Sequence, residues 1–223
     1  MLQAPVQREL MRLGHSRIVP ANTTLGRQGE PTSIVSLLLE GRVTRTRVEP
    51  NGVPVMLPLR YPGDLVGELS WLDHGTHSAT IVARDRSTLL VFPHRDLEMF
   101  MQQRPSVLLT YTRMIADSLH EAEAHHSDAG AYDVERRLGR VLLRQVERYP
   151  RKLDEHYVVE LRQKELAMLI GARETTVQKA LRCPPLRELV RPSRGRILLC
   201  DVRRLSAFAE LNDADGRFSL RDL

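Results

Sequence analysis

Residues 161–190, LRQKELAMLIGARETTVQKALRCPPLRELV, decide the fold of the C-terminal part of the chain. Two helices are predicted within this stretch, over residues 163–170 and 175–182. Gly171 lies between them and permits the left-handed backbone that a tight interhelical turn requires. Val177 and Leu181 lie four residues apart on one side of the second helix and are expected to pack on the first. The pattern is typical of a helix-turn-helix.

The opposite side of the second helix is polar and is therefore available to another molecule. Such a helix can enter the major groove of DNA and offer hydrogen-bonding groups to the base edges. A generic helical hairpin whose outer side is only solvated is the alternative. Pro184-Pro185 must end the helix near Arg182 or Cys183, because proline lacks an N–H and clashes with the preceding turn. We predict DNA contacts from Gln163, Arg173, Glu174, Thr175, Gln178, Lys179 and Arg182.

A basic hairpin follows the two helices. Its strands are predicted over residues 190–192 and 196–200. Arg194 and Arg196 flank the tip, where they are suited to straddling phosphates. Residues 133–223 hold 20 Lys and Arg against 14 Asp and Glu, whereas residues 1–132 hold 13 against 14. This asymmetry favours a polyanion as partner of the C-terminal part. The sequence therefore predicts a winged helix-turn-helix that binds double-stranded DNA.

The N-terminal part is predicted to be an antiparallel β structure. Residues 15–93 contain short apolar or alternating segments separated by turn signals, which is typical of a sandwich, roll or barrel. Asn51-Gly52 lies between two of these segments and is expected to supply the positive φ angles of a tight hairpin turn. The expected strands cover residues 34–39, 42–48, 53–59, 79–83 and 87–92, and a helix covers residues 94–103.

A long helix is predicted to begin with Ser106 as its cap and to run to about Ser127. Its apolar positions recur at alternating steps of four and three residues, the a and d spacing of a coiled coil. Packing of this helix on its own β domain is the alternative. Asp128-Ala129-Gly130 indicates a hinge, and Asp133 caps the next helix, which runs to about Tyr149. We predict that two copies of the chain pair along Leu108, Thr112, Ile115, Leu119, Ala122 and His126.

Three motifs together resemble those of the cyclic-AMP receptor protein and fumarate-nitrate regulator (CRP/FNR) family. They are GDLVGEL at 63–69 with HSA at 77–79, YDVERRL at 132–138, and ELA with IGA and TV between 165 and 177. The resemblance covers nearly the whole chain. It implies an α+β fold with an N-terminal antiparallel β-roll (a cyclic-nucleotide-binding-like jelly roll), a long dimerisation helix and a C-terminal winged helix-turn-helix. The corresponding domains are expected at residues 1–105, 106–129 and 130–223.

The resemblance also implies an effector pocket in the roll, at Gly67, Glu68, His77, Ser78 and Glu123. In members that bind cyclic nucleotides, an arginine grips the cyclic phosphate, whereas His77 occupies that position here. A neutral imidazole cannot form a bidentate, permanently charged clamp. Glu123 aligns with the hydroxyl pair that meets the base, and a carboxylate there would hinder binding. We therefore predict that this domain does not bind cyclic AMP in the usual way.

The second helix departs from the family as well. Aligned without a gap, the family's base-reading Arg-Glu pair falls on Glu174 and Thr175, and its later arginine on Lys179. A shifted alignment would restore Arg173-Glu174 to these positions but push Val177 out of the core. We favour the gapless alignment because core packing is the stricter demand. The DNA half-site is therefore expected to differ from the family's common one.

Other cofactors and catalytic sites find little support in the sequence. The iron–sulfur branch of the family requires a cysteine cluster near the N-terminus, whereas the two cysteines are Cys183 and Cys200. Isolated histidines are a weak indication of haem. We find no metal-ligand motif, nucleophile elbow, phosphate loop or carboxylate dyad, so we predict neither a metal site nor catalytic residues nor an enzyme. The identity of an effector stays open.

These features predict a sequence-specific DNA-binding transcription regulator that acts as a homodimer on a near-palindromic site, with RNA polymerase as a further partner. A sensor or scaffold of the same fold that has lost specific DNA binding is the alternative, suggested by the altered second helix. No apolar run approaches the roughly 20 residues that cross a bilayer. Residues 1–13 carry Arg8 and Arg12 and do not resemble a signal peptide. We expect a cytoplasmic protein without a membrane partner.

Overall fold

The computed structural model describes residues 4–211. The polar tail that the sequence predicts to be mobile, residues 212–223, lies outside the described residues. The helices are α1 Ala4–Leu13, α2 Glu68–Leu72, α3 His94–Gln103, α4 Pro105–Ala131, α5 Val134–Arg148, α6 Gln163–Ile170, α7 Glu174–Arg182, α8 Leu186–Leu189 and α9 Val202–Phe208. The strands are β1 His15–Val19, β2 Thr24–Gly26, β3 Ile34–Glu40, β4 Val43–Val48, β5 Pro54–Arg60, β6 Leu65–Val66, β7 Thr80–Ala83, β8 Ser87–Pro93, β9 Lys152–Leu153, β10 His156–Val159, β11 Val190–Ser193 and β12 Arg196–Leu199.

The N-terminal strands form two antiparallel sheets, in the orders β1-β8-β3-β6 and β2-β7-β4-β5. Strand β8 contributes side chains to two separate apolar clusters. Leu89 and Val91 belong to a buried cluster with Val43 of the other sheet. Leu90 and Phe92 belong to a second cluster. Successive side chains of a strand point to opposite faces, so an almost wholly apolar strand is covered on both sides. The predicted β-roll is confirmed.

The second cluster joins this sheet to the helices around it. It contains Leu10 of α1, Trp71 of α2, Leu97 of α3 and Tyr111 of α4. The Trp71 and Tyr111 rings lie 5.5 Å apart, in a tilted arrangement. The N-terminal part of α4 therefore packs on the roll and belongs to the first of two compact units, residues 1–121.

Helix α4 differs from its predicted limits at both ends. It begins at Pro105 rather than after a Ser106 cap, and proline suits a first helical position because the N–H it lacks would be unpaired there. The helix also continues to Ala131, so its predicted end near Ser127 is wrong and Asp128-Ala129-Gly130 is helical. The Asp128 carboxylate is buried and accepts hydrogen bonds from two arginines of α5, which holds this segment in place.

The β4–β5 hairpin forms where the sequence predicts it, but with a longer loop. In the loop the Glu49 N–H donates to the Val53 carbonyl at 3.0 Å, the Gly52 N–H donates to the Glu49 carbonyl at 2.8 Å, and Gly52 has a φ of 79°. Asn51 does not have the positive φ expected of a two-residue Asn-Gly turn. Its side-chain oxygen instead accepts the N–H of Val53 at 3.1 Å, an Asx-type contact that closes the loop.

The second compact unit comprises residues 122–223, described as far as residue 211. Its sheet has the order β11-β12-β10-β9 and is antiparallel. Helix α5 begins after Asp133, whose carboxylate accepts the Arg136 N–H at 2.8 Å as predicted for a cap. The unit's core includes Leu142 of α5, Leu166 of α6 and Val177 of α7. The predicted winged helix-turn-helix is confirmed.

Candidate DNA-binding surface and effector cavity

The turn between α6 and α7 has the predicted backbone. Helix α6 begins after Arg162, whose N–H donates to the Glu165 carboxylate at 2.7 Å. Gly171 ends the helix with a φ of 63° and a ψ of 42°. The Ala172 N–H then donates to the Ala167 carbonyl at 2.9 Å, which satisfies a carbonyl at the end of the helix. These contacts fix the direction in which α7 leaves the turn.

One side of α7 is fully buried. Val177 is 0 % exposed, Ala180 1 % and Leu181 2 %, and α6 contributes Leu166 and Ile170 to the same buried set. The expected packing is confirmed, and it is the packing for which we favoured the gapless alignment. Burying these side chains leaves the rest of the α7 surface for solvent or a partner.

The structure places the predicted DNA-contacting residues on that outer surface. Exposed side chains are those of Arg173, Glu174, Thr175, Lys179 and Arg182. Gln163 and Gln178 are half-buried; the Gln178 amide donates to Glu174 at 3.3 Å. Helix α7 starts at Glu174, so Arg173 precedes it, and it ends at Arg182 as the proline pair predicts. Sequence analysis missed Thr176, which is exposed beside them.

The basic hairpin forms a wing at the edge of the second unit. Strands β11 and β12 pair antiparallel up to Ser193 opposite Arg196, and Gly195 has a φ of 74°. Arg194 is exposed at the tip and Arg196 is half-buried beside it. Arg191 is also exposed, on β11. The wing therefore presents guanidinium groups that can contact phosphates without reading a base.

A buried ionic cluster fixes the end of α4 within the second unit, and sequence analysis missed it. Asp128 accepts from Arg140 Nε at 2.7 Å and from Arg144 Nη1 at 2.5 Å. Arg140 also donates to the carbonyls of Ala209 and Glu210, at 3.1 and 2.8 Å, and its guanidinium lies 4.5 Å from the centre of the Tyr132 ring. The cluster thus joins α4, α5 and the end of α9. We name it the Asp128 cluster.

Most of the predicted pairing seam on α4 is exposed. Leu119 is 57 % exposed and Leu108 48 %. Ile115 is different, because it is half-buried and packs against the apolar cluster of the roll. Leu109, which sequence analysis did not select, is 52 % exposed. The remaining seam residues with exposed side chains are Thr112, Ala122 and His126.

The roll contains a cavity at the position of the predicted effector pocket. Gly67, Glu68, His77 and Ser78 all line it, together with Arg45 of β4. Glu123 is exposed on α4 and is not part of this lining. Arg45 is not among the residues that the sequence selected for this pocket.

Glu68 already has a partner within the protein. Its carboxylate is buried and accepts a short hydrogen bond from Arg60 Nη2. Arg60 Nη1 donates in turn to Ser118 Oγ at 3.1 Å. Arg45 Nη1 lies 3.9 Å from the same Glu68 oxygen. The carboxylate is therefore engaged by the protein's own cations.

His77 is buried, and its environment favours the uncharged imidazole. A Cβ at Gly26 would collide with its Nε2 atom, so the absence of a side chain at Gly26 makes room for the ring. Burial lowers the pKa of His77, more than Glu30 and Glu68 raise it, and His94 lowers it further. A ring in this state cannot replace a charged arginine clamp.

Among residues 4–211 we find no group of three or more His, Cys, Asp or Glu side chains arranged to hold a metal ion. No helix in the same range is both long and apolar enough to cross a membrane.

Comparison with protein families gives two matches. Residues 16–104 match the cyclic nucleotide-binding domain, and residues 136–208 match the Crp-like helix-turn-helix domain. A CRP-like cAMP-activated global transcriptional regulator of Mycobacterium tuberculosis is 30 % identical over 192 residues, which are 84 % of either chain. The cyclic AMP receptor protein of Thermus thermophilus is 27 % identical over 195 residues, 87 % of either chain.

Solved structures show the same fold. The c-di-GMP responsive global regulator CLP of Xanthomonas campestris is similar with a TM-score of 0.77 at 19 % identity, covering 88 % of this chain and 99 % of that one. A CRP/FNR-family transcriptional regulator from Thermus thermophilus is similar with a TM-score of 0.74 at 22 % identity, covering 88 % and 98 %.

Proposed function

The chain belongs to the CRP family of transcriptional regulators, and from that premise we propose that it binds a specific DNA sequence as a homodimer. The observation that carries this proposal is the packing of α7. Because Val177 and Leu181 are buried, Glu174, Thr175 and Lys179 lie on the surface that can enter a major groove. Lys179 and Arg182 supply base or phosphate contacts, and Glu174 can accept from a cytosine amine.

The proposed dimer forms along the exposed seam of α4. Leu108 and Leu119 are large apolar side chains that a monomer would leave in water, and their burial between two copies favours association. Two α7 helices would then read half-sites about 34 Å apart, which accounts for a near-palindromic target. RNA polymerase is the proposed further partner and the cytoplasm the proposed compartment.

We further propose that cyclic AMP is not required. Relatives of the chain are named as cAMP-activated. In this chain His77 stands where the phosphate-gripping arginine is expected, and Glu68 is engaged by Arg60 instead of being free for a ribose hydroxyl. These two features support DNA binding that does not respond to cyclic AMP.

Binding-site selection from random DNA, with and without cyclic AMP, tests the proposal. We expect a two-fold symmetric sequence whose enrichment is the same in both arms. Binding of the selected site should weaken steeply with salt, because phosphate contacts release counterions. A lack of enrichment at low salt would contradict DNA recognition and favour a sensor or scaffold. Enrichment only with cyclic AMP would contradict the effector proposal alone.

The dimer has its own test in Leu119→Glu. A charge in the seam should convert the dimer to a monomer in sedimentation velocity and weaken binding of the symmetric site. Ile18→Glu is the matched control, since Ile18 on β1 is also 57 % exposed but lies outside α4. A monomeric wild type would contradict the proposed dimer, and dimers of equal stability in both variants would place the interface outside α4.

A further inference from the structure

The exposed side of α4 differs from the predicted pairing seam at every second position. Ile115 packs on the roll, so it is not available to a second copy of the chain. Exposed residues instead recur at alternating steps of three and four along the helix, at Leu109, Thr112, Ala116, Leu119, Glu123, His126 and Gly130. This is again the spacing of a coiled coil. We name this set the α4 stripe.

The α4 stripe changes from apolar to charged along its length. Its first half carries Leu109, 52 % exposed, and Leu119, 57 % exposed. Its second half carries Glu123 and His126, both exposed. These two residues are three apart, so their side chains are neighbours on one face of the helix, about 4.5 Å apart along its axis. A polar side chain in the core of a coiled coil costs stability, and a buried charge requires a partner.

The proposed dimer brings this pair together with its own copy. Half-sites about 34 Å apart require both DNA-binding units at the same end of the dimer, so the two α4 helices run parallel. In a parallel pair, each seam residue faces the same residue of the other copy, across helix axes roughly 8–10 Å apart. Two Glu123 carboxylates and two His126 imidazoles therefore lie in adjacent layers. The two carboxylates repel each other unless a cation lies between them.

We propose that this end of the α4 stripe binds a divalent first-row transition-metal ion, such as zinc, between two copies of the chain. Glu123 and His126 of each copy are its ligands. Carboxylate oxygen and imidazole nitrogen both bind zinc, and two ligands from each copy complete the usual tetrahedral set. Glu-x-x-His is also a spacing with which helix bundles bind metal ions. This inference rests on the dimer of the proposed function.

The metal site is incomplete in a single copy. One chain supplies only Glu123 and His126, in agreement with the lack of a group of three ligating side chains within residues 4–211. An ion that binds the dimer more tightly than the monomer shifts the equilibrium toward the dimer. The affinity of the regulator for a symmetric DNA site would then depend on the concentration of the metal.

Zinc titration of the full-length protein, without an affinity tag and without DNA, tests this site. Sedimentation velocity of the metal-free protein first measures the dimer by itself. Isothermal titration calorimetry should then give one zinc per two chains, and sedimentation velocity with zinc should show a tighter dimer that EDTA reverses. A dimer that binds no zinc, or binds it without becoming tighter, would overturn the inference and leave the proposed function standing. A monomer with and without zinc would contradict both.

His126→Ala removes two of the four ligands from the dimer. It should therefore weaken zinc binding by more than the roughly 10- to 100-fold that follows loss of an outer-shell partner of a metal site. His120→Ala is the matched control, because His120 is an exposed histidine of the same helix that lies about 100° around the axis from Leu119 and outside the α4 stripe. Equal zinc affinities of the wild type and His126→Ala, or equal losses in both histidine variants, would overturn the proposal.

Glu123→Gln distinguishes a metal ligand from a residue that only shapes the interface. Without metal, the variant dimer should be tighter than the wild type, because two facing like charges are removed. With zinc, the variant should show little further tightening, because the amide is a poorer ligand than the carboxylate. A variant whose dimer tightens with zinc as much as the wild type does would overturn the role of Glu123 and with it the proposed site.

Discussion

The protein buries one ionic cluster in each compact unit, and the two differ in how completely their charges are satisfied. In the Asp128 cluster, both carboxylate oxygens accept from arginines, and Arg140 also donates to two carbonyls. In the roll, Arg45 and Arg60 share the single Glu68 carboxylate, and both Nε atoms are without a hydrogen-bond partner among the described residues.

This difference predicts opposite effects on stability when a charge is removed from each cluster. A buried charge whose partners are all present holds helices together, and removing one partner leaves an uncompensated ion. Where several buried donors share one carboxylate, the cost of burying the charge is offset less completely. The Asp128 cluster therefore joins the end of α4 to α5, whereas in the roll Arg45 and Arg60 share a single carboxylate.

The largest expected effect belongs to the Asp128 cluster. Asp128→Ala should lower the free energy of unfolding by about 3–5 kcal/mol, since Arg140 and Arg144 would keep their buried charges without a carboxylate. Denaturant unfolding followed by circular dichroism measures this. Asp133→Ala, which removes an exposed cap of α5, is the control and should cost about 1 kcal/mol. Equal losses of unfolding free energy in the two variants would show that the buried Asp128 carboxylate stabilises the protein no more than the exposed Asp133 cap.

Arg45→Met should change stability in the opposite direction. The cluster would keep its Arg60–Glu68 pair and lose a cation whose pKa has fallen to about 10. We expect the free energy of unfolding to rise by about 1–3 kcal/mol, reduced by loss of the bond to Pro58. Arg47→Met, on the exposed part of β4, should leave the free energy of unfolding unchanged. A destabilised R45M protein would make Arg45 structural and remove the contrast between the clusters.

A smaller effect concerns His77 and pH. Because burial lowers its pKa in the folded state, the unfolded chain takes up a proton first as pH falls below about 6.5. This residue should therefore reduce stability below that pH by at most about 1.4 kcal/mol per pH unit, and the effect should end below the folded-state pKa. His77→Gln should therefore reduce the dependence of the free energy of unfolding on pH, measured by denaturant unfolding between pH 5 and 8. Exposed His74→Gln is the control; identical curves for both variants would refute the role of His77.

The sequence predicted the elements whose apolar spacing is local. Val177 and Leu181, four residues apart, were sufficient to orient α7, and Gly171 was sufficient to place the turn. The end of α4 could not be predicted in this way. Asp128-Ala129-Gly130 has the composition of a break, but the helix is maintained by Arg140 and Arg144, which lie 12 and 16 residues further along the chain.

The cavity in the roll was predicted only in part. Gly67, Glu68 and His77, selected from the family motif, line it, whereas Glu123 does not. Arg45 was not selected, because alternation along a strand such as β4 cannot reveal whether a polar face meets water or a buried carboxylate. Arg60 lies at the end of β5, and its contact with Glu68 depends on how the strand meets α2. Charge pairs of this kind are set by tertiary structure.

The central claim is that the outer side of α7 reads DNA. The direct measurement is the affinity of Lys179→Ala for the selected site and for each of its single-base variants, by fluorescence anisotropy at fixed salt. We predict a loss of roughly 1–3 kcal/mol on the selected site and relaxed discrimination at one base pair per half-site. Lys152→Ala, the same charge loss on β9 at the sheet edge opposite the wing, should keep both affinity and specificity. If Lys179→Ala and the alanine substitutions of Glu174 and Gln178 all leave affinity and base discrimination unchanged, recognition of DNA by α7 is contradicted.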